Sequence, residues 1–321
     1  MTANPKFRLF DLGINKAFSE KVAEKLGVPL SPVDIRTFAD REIYERIVES
    51  VRGIDVYVIA PIADPVNENF MKLMIFIDAA KRTSAKSINV IIPYMGYARS
   101  DRKTRSREPI VARLIADMLQ EQGIKRVMTM DLHTAQVQGF FDIPVDHLIA
   151  LPAQVDYLEK QGLVGQEVVC VASGPSTLKL VQRLASAINS QWAIIDQDRY
   201  SNQPARVTGD VAGKHAIIVA DMVDTGLTMM KAASALKKAG AAKIDGLATH
   251  GVFSDQASEA LQASDLDRLL ISDTVAIPEE KQFDKLEVIS VAHLFAEALQ
   301  QVIEQKSLAQ VLLPNDERED Q

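Results

Sequence analysis

Seven short apolar runs without polar alternation recur along the chain: VYVIAPI (56–62), SINVIIPYM (87–95), RVMTMDL (126–132), VVCVAS (168–173), WAIID (192–196), HAIIVADMV (215–223) and RLLISDTV (268–275). A strand with one face in water alternates, whereas a strand covered on both faces does not. The runs therefore predict parallel sheet with helices on both sides. The segments between them carry a helical period. In PIVARLIADMLQEQG, residues Ile110, Val111, Leu114, Ile115, Met118 and Leu119 make one apolar face, Pro109 suits a first turn, and Gly123 supplies the stop. Gly240 ends TMMKAASALKKAG in the same way. Strand–helix alternation of this kind predicts a doubly wound α/β fold.

The chain has 321 residues, which at roughly 150 per domain suggests about two domains. A weak internal repeat points the same way. LQEQGIKRVMTMDLH (119–133) lines up with LKKAGAAKIDGLATH (236–250) at an offset of 117, pairing Leu119 with Leu236, Gly123 with Gly240 and His133 with His250. The preceding strands align at 126, and the difference of nine makes RSDRKTRSR (99–107) an insertion. The expectation is two related parallel-sheet lobes, 1–150 and 151–313, the first carrying a basic flap. The last helix is expected to pack back on the first lobe. YSNQPARVTG (200–209) reads as a mobile loop, and the acidic tail 314–321 as disordered.

Charge narrows the function classes. Lys and Arg total 36 against 43 Asp and Glu, a net of -7. The tail PNDEREDQ holds -3 of this, while residues 99–107 concentrate +4. A mildly acidic body lacks the broad basic field that general nucleic-acid binding needs. The single Cys170 excludes an intrachain disulfide framework and a Cys-rich metal site. No apolar stretch approaches 18 residues, and MTANPKFRLF has no leader layout. The expectation is a soluble cytoplasmic chain with neither nucleic acid nor membrane as partner.

The stretch richest in chemistry is IIVADMVDTGLTMMKAA (217–233), an apolar strand running through Asp221, Asp224, Thr225, Gly226 and Thr228 into a helix. This geometry aims backbone N–H groups and the positive helix end at an anion, with threonine hydroxyls as extra donors. Gly226 lets the backbone close around a phosphate. The two carboxylates upstream suit ribose hydroxyls. The competing reading is plain capping, with Asp224 and Thr225 at the helix start and Thr228 in its first turn.

That loop resembles the ribose-5-phosphate loop of type I phosphoribosyltransferases, and DTGLT resembles the purine-salvage members in particular. More of the chain resembles the ribose-phosphate diphosphokinase (phosphoribosyl pyrophosphate synthetase) family. The matches are FADREIYERI (38–47), PYMGYARSDRKTRSREPI (93–110), DLHTAQVQGFFDIPVD (131–146), ATHGVFS (248–254) and ISVAHLFAEAL (289–299), in the family's order. The resemblance implies diphosphate transfer from ATP to the 1-hydroxyl of ribose 5-phosphate, giving phosphoribosyl pyrophosphate (PRPP) and AMP, with Mg2+. Such a transfer is mostly positioning and charge neutralisation.

It also implies residue roles. Arg99 matches a nucleotide-contacting arginine, with Asp101 and Arg102 beside it in the flap. His133 matches a histidine that serves the metal and the triphosphate. Phe38, Asp40 and Glu42 match a loop that reaches the adenine of a neighbouring subunit. That implies a dimer-based homo-oligomer, up to a hexamer. Asp221, Asp224, Thr225, Gly226 and Thr228 match the ribose-phosphate site.

The departures from the family pattern lie mainly in the second lobe. Gly174 stands where the family has a metal and ribose Asp, and Ser176 and Thr177 replace paired glycines. The family's Asp-Lys-Arg-Arg becomes Asp196-Gln197-Asp198-Arg199, leaving Arg199 as the surviving catalytic cation. Ala220 replaces an acid and Leu227 a glycine, while Arg41 replaces a glycine and Ser100 a glutamine in the first lobe. Losing a cation beside a polyphosphate predicts a cost at or beyond that of one oxyanion donor, about 3 kcal/mol. An active enzyme would then need a substitute cation, for which Lys179 and Lys214 are candidates. The alternative is an impaired member that binds nucleotide or ribose phosphate and associates with an active paralogue. A phosphoribosyltransferase ranks third, because those enzymes lack a nucleotide-binding first lobe.

Overall fold

The computed structural model describes residues 6–196 and 206–308. They divide into two compact units. The first comprises 6–149, 274–276 and 292–308; the second comprises the rest up to 291.

The first unit opens with β1 (Phe7–Asp11), α1 (Lys16–Leu26) and β2 (Leu30–Ser31). A hairpin follows, β3 (Val33–Thr37) and β4 (Ile43–Ile47). Then come β5 (Asp55–Ile59), α2 (Val66–Arg82), β6 (Ser87–Ile92), α3 (Val111–Glu121), β7 (Arg126–Met130) and β8 (Val145–Leu148). Six strands form one parallel sheet in the order β2-β1-β5-β6-β7-β8. Its core joins Val56, Val58, Val90 and Ile92 of the strands to Leu73, Phe76 and Ile77 of α2 and Ile115 and Leu119 of α3.

Helix α3 corrects two expectations. It starts at Val111 with Ile110 as N-cap, so Pro109 lies ahead of the first turn. Its buried stripe is Ala112, Ile115, Ala116 and Leu119, and Leu114 is 53% exposed. The two alanines, invisible to an apolar-face count weighted by large side chains, are what bring the helix onto the sheet.

The second unit runs α4 (Leu151–Lys160), β9 (Val168–Ala172), α5 (Leu178–Ala187), β10 (Gln191–Asp196), β11 (Arg206–Thr208) and β12 (His215–Val223). It continues through α6 (Leu227–Lys238), β13 (Lys243–Gly251), α7 (Ala257–Gln262), β14 (Arg268–Ser272) and β15 (Leu286–Ile289). The order is β11-β10-β9-β12-β13-β14-β15, with β11 antiparallel to β10 and the others parallel. A final helix, α8 (Ala292–Ile303), belongs to the first unit and packs on α1, with Phe18 and Phe295 edge-on at 5.3 Å.

All seven apolar runs contain parallel strands. Buried β13 is not among them, because Asp245, Gly246 and Thr249 interrupt its apolar character. Gly246 lets β13 pack closely there, since a Cβ would lie 2.7 Å from Leu269 Cδ1 and displace it.

The two units are related doubly wound sheets, but not in the register of the sequence repeat. That repeat set β7 against β13. Sheet order instead pairs β1 with β9, β5 with β12, β6 with β13 and β7 with β14. Gly123 and Gly240 end their helices with nearly equal left-handed φ, +85° and +87°, because glycine past a helix end is a general stop. One strand–helix unit therefore aligns with almost any other. His133 and His250 part company: the first is exposed beyond its strand, the second buried within β13. The flap remains an extra feature, since the β6–α3 connection spans 93–110 and its counterpart after β13 only 252–256. Among the described residues no helix is long and apolar enough to cross a membrane.

Candidate active site

In the second sheet β9 and β12 are neighbours, but the chain leaves β9 towards β10 on one side and β12 towards β13 on the other. The carboxyl ends of strands at such a reversal are the general ligand site of open α/β sheets. Two connections bracket it, 173–177 after β9 and 224–226 after β12.

The second connection, with the end of β12, gathers Asp221, Asp224, Thr225, Gly226 and Thr228 in one turn. Asp221 and Asp224 are half-buried, and Thr225 and Thr228 are exposed. The N-cap of α6 is Gly226 itself, at φ +74°. Asp224 and Thr225 therefore do not occupy the cap position, and the residue that does has no side chain to offer the first-turn N–H groups. Donors left without such a cap at a helix start are open to an anion. The loop is fixed from behind by Ser254 N–H donating to Asp224 O at 3.2 Å and Val252 N–H to Val223 O at 2.9 Å.

After β9, a single 3₁₀ turn (Pro175–Thr177) lies against β12 and leads into α5. The Thr177 hydroxyl donates back to Gly174 O at 3.1 Å, so it makes no side-chain cap for α5. Gly174 has φ 167°, ordinary extended backbone, and a Cβ there would meet nothing within 4 Å. The fold thus has room for the carboxylate that the family pattern places here. Lys179, exposed in the first turn of α5, stands at this end of the sheet. Lys214 does not. It precedes β12 and pairs with Asp210 at 3.0 Å and with Gln191. The nine residues of β12 separate it from the 224–226 connection by about 30 Å. Lys214 is excluded as the substitute cation. Gln197, Asp198 and Arg199 lie outside the described residues, as do most of 200–209 and the acidic tail.

The first unit brings the flap and the His133 loop together at the ends of neighbouring β6 and β7. Arg99, Arg102, Lys103, Arg105, Arg107 and His133 are all exposed. Gly96 permits the close approach at the flap's base, where a Cβ would lie 2.3 Å from Ile62 O. Glu108 organises the tip: its carboxylate accepts from Thr104 N–H, Thr104 Oγ1 and Arg105 N–H, each at 2.8 Å. The Thr104 bond leads in holding that carboxyl below its ordinary value. Asp101 is 6% exposed, and its Oδ2 accepts from Thr134 Oγ1 at 2.6 Å and Gln136 Nε2 at 3.0 Å. His147 of β8 accepts the Leu132 N–H at Nε2, 2.9 Å away, and burial depresses its pKa. Sequence reasoning gave Glu108 and His147 no role. The Thr104–Glu108 spacing was a local signal, but the His147 link joins neighbouring strands and leaves no sequence trace.

Phe38, Asp40 and Glu42 form the turn of the β3–β4 hairpin. Asp40 Oδ1 accepts the Glu42 N–H at 3.1 Å, and Phe38 N–H donates to Glu42 O at 2.8 Å. Arg41 keeps the left-handed φ of a glycine, 73°. Phe38 is 53% exposed, its ring edge-on to Tyr44 at 6.4 Å.

A cleft of about 360 Å³ opens at the opposite, amino ends of β12, β13 and β14, lined by His215, Lys243, Asp245, Asp267 and Arg268. Asp245, 2% exposed, pairs there with His215 at 3.0 Å and Arg268 at 2.8 Å. Burial alone would raise its pKa, but these partners outweigh that and hold it low. This cleft lies at the opposite end of the sheet from the 224–226 connection.

Comparison with known proteins decides the family. Residues 7–123 match the model of the N-terminal domain of ribose phosphate pyrophosphokinase, and 163–313 match the phosphoribosyl synthetase-associated domain. The chain belongs to the ribose-phosphate pyrophosphokinase family. A ribose-phosphate pyrophosphokinase of Fusobacterium nucleatum is 44% identical over 95% of this chain and 97% of its own length. Ribose-phosphate pyrophosphokinase 1 of Streptococcus agalactiae is 43% identical over 94% and 95%. The crystal structure of phosphoribosylpyrophosphate synthetase from Mycobacterium smegmatis superposes with a TM-score of 0.88 at 38% identity, covering 94% of this chain and all of that one. Of the family's two domains, the first takes in β1 to Gly123 with the flap. The second starts at Leu163 and contains both the Gly174 turn and the 224–226 connection.

Proposed function

We propose that the chain transfers the β,γ-diphosphoryl group of MgATP to the 1-hydroxyl of ribose 5-phosphate, releasing AMP and PRPP. The observation that carries this reading is the start of α6, opened by Gly226 at the strand reversal of the second sheet and flanked by Thr225 and Thr228. These groups hold the 5-phosphate, and Asp221 and Asp224 take the ribose hydroxyls. Arg99, Arg102 and the rest of the flap offset triphosphate charge. His133 addresses the triphosphate and its metal, and Arg199 steadies the diphosphate in flight. The 1-hydroxyl attacks the β-phosphorus, the bridge to the α-phosphate breaks, and the hydroxyl proton leaves to solvent. In-line positioning and charge neutralisation supply most of the acceleration.

Among the described residues, no three His, Cys, Asp or Glu side chains gather into a metal cage. A magnesium ion carried on ATP fits that arrangement, because it keeps several waters and takes one or two protein ligands beside the phosphates. The metal is thus part of the substrate and supplies further neutralisation there. Phe38, Asp40 and Glu42, exposed at the hairpin turn, complete an adenine site on a second copy in a homo-oligomer. We place the reaction in the cytoplasm. The named activity of the relatives favours this reading over that of a non-catalytic regulator.

Purified protein incubated with MgATP and ribose 5-phosphate should form AMP and PRPP in equal amounts. No AMP above a no-enzyme control, with ribose-phosphate binding intact by calorimetry, would sink the catalytic reading.

A further inference from the structure

Strand pairing alone does not shape the loop that carries His133. Its last main-chain bond to β8 runs from Asp131 N–H to Leu148 O at 3.0 Å. Asp131 has a φ of +37°, a sparsely populated value that persists where the surroundings enforce it. One residue on, the Leu132 N–H leaves the ladder and donates to His147 Nε2 at 2.9 Å. A backbone N–H cannot reverse, so Nε2 must be the accepting ring nitrogen. On the other side of His133, Thr134 and Gln136 both donate to Asp101 Oδ2. His133 therefore lies between two anchors, one on β8 and one in the basic flap.

One anchor would leave a short loop free to pivot; two on opposite sides fix it. Asp101 is also the one acid within the cationic stretch 99–107. Pointed at a polyphosphate it would repel, but buried against Thr134 and Gln136 it binds the flap to the loop instead. We infer that Asp101 and His147 are a pair of positioning residues that clamp the His133 loop and couple it to the flap, so that the flap cations and His133 meet the triphosphate as one body. This rests on the diphosphoryl transfer proposed above. It gives Asp101 a part other than the nucleotide contact that the resemblance implies.

The test is steady-state kinetics on the full chain, with thermal melting of every variant and calorimetry with a non-hydrolysable MgATP analogue. Asp101→Ala and His147→Leu should each lower kcat/KM for MgATP by about 10- to 100-fold, the scale of a small misplacement. Each should weaken analogue binding about tenfold and leave the KM for ribose 5-phosphate within about twofold. Both changes break one clamp, so the double variant should fall no more than about threefold below the worse single. His147→Gln keeps an acceptor and should recover to within about fivefold of the parent. Should a truncation fail to fold, Asp101→Asn and His147→Gln carry the test, each with a smaller loss confined to MgATP.

Unchanged MgATP kinetics and analogue binding overturn the inference. So does a parallel rise in the ribose 5-phosphate KM, or losses that multiply in the double variant. An inactive parent that binds the analogue no better than these variants overturns it as well. An inactive parent whose analogue binding still falls in the variants defeats the proposed reaction and leaves the clamp standing.

Discussion

Gly226 closes the β12–α6 turn directly against Leu261: a Cβ on residue 226 would lie 2.9 Å from Leu261 Cγ, and φ there is +74°. Alanine at this position meets two separate penalties. The left-handed backbone costs about 1–2 kcal/mol, and the forced contact about 1–3 kcal/mol more. Gly226→Ala should lower stability by about 2–5 kcal/mol in urea unfolding. It should also weaken ribose 5-phosphate binding at least tenfold by calorimetry. Unchanged affinity would remove the α6 start from the binding site.

Local chemistry was legible in the sequence and cross-strand chemistry was not. The turn from Asp221 to Thr228 is contiguous, so its strand–turn–helix layout could be read without help from the rest of the fold. The flap was legible as a charge run, but its internal order depends on Glu108, just beyond the stretch counted. Lys214 looked as good as Lys179 because sequence distance does not tell one end of a strand from the other. Buried β13 escaped because Asp245 needs Arg268 and His215, from two other strands, to be tolerable inside. The repeat misled because every strand–helix unit of a doubly wound sheet obeys the same pattern.

The turn after β9 allows a gain-of-function test. Gly174 is extended and faces open space, so Gly174→Asp restores the family's carboxylate without strain. Its melting temperature should match the parent. If the missing acid limits the reaction, kcat/KM for ribose 5-phosphate should rise several-fold and the magnesium requirement should fall. A folded variant with unchanged kinetics would show that the reaction does not use an acid at 174.

The two lysines are separated by a paired substitution. Lys179 stands in the first turn of α5, where a cation gains nothing from the helix dipole, and at the ligand end of the sheet. Lys179→Met should cut kcat by roughly 10- to 100-fold if it replaces the missing cation, comparable to losing one oxyanion-hole donor. Lys214→Met should leave kcat within about twofold and affect only stability, through its ties to Asp210 and Gln191. Equal effects on kcat from the two changes would reject Lys179.

Glu45 makes stability depend on pH in an unusual direction. It lies in the inward row of β4 with Ile43 and Ile47, opposite Ile35, on the strand that packs against α2. Both carboxylate oxygens are buried without a hydrogen-bond partner. Burial pushes its pKa up to about 8, against a smaller pull from Lys72. The unfolded chain releases this proton near 4.5, so between that value and about 8 the folded state holds more protons. Glu45's contribution to stability then falls as pH rises through this window and levels off above it, with a slope of at most about 1.4 kcal/mol per pH unit. Glu45→Gln should match the parent near pH 4.5 and exceed it by about 2–4 kcal/mol at pH 8.5, after allowing for solvent near the site. Urea unfolding at pH 5.5, 7 and 8.5 measures this directly. Parallel stability curves for parent and variant would mean that Glu45 finds a partner or water when it ionises.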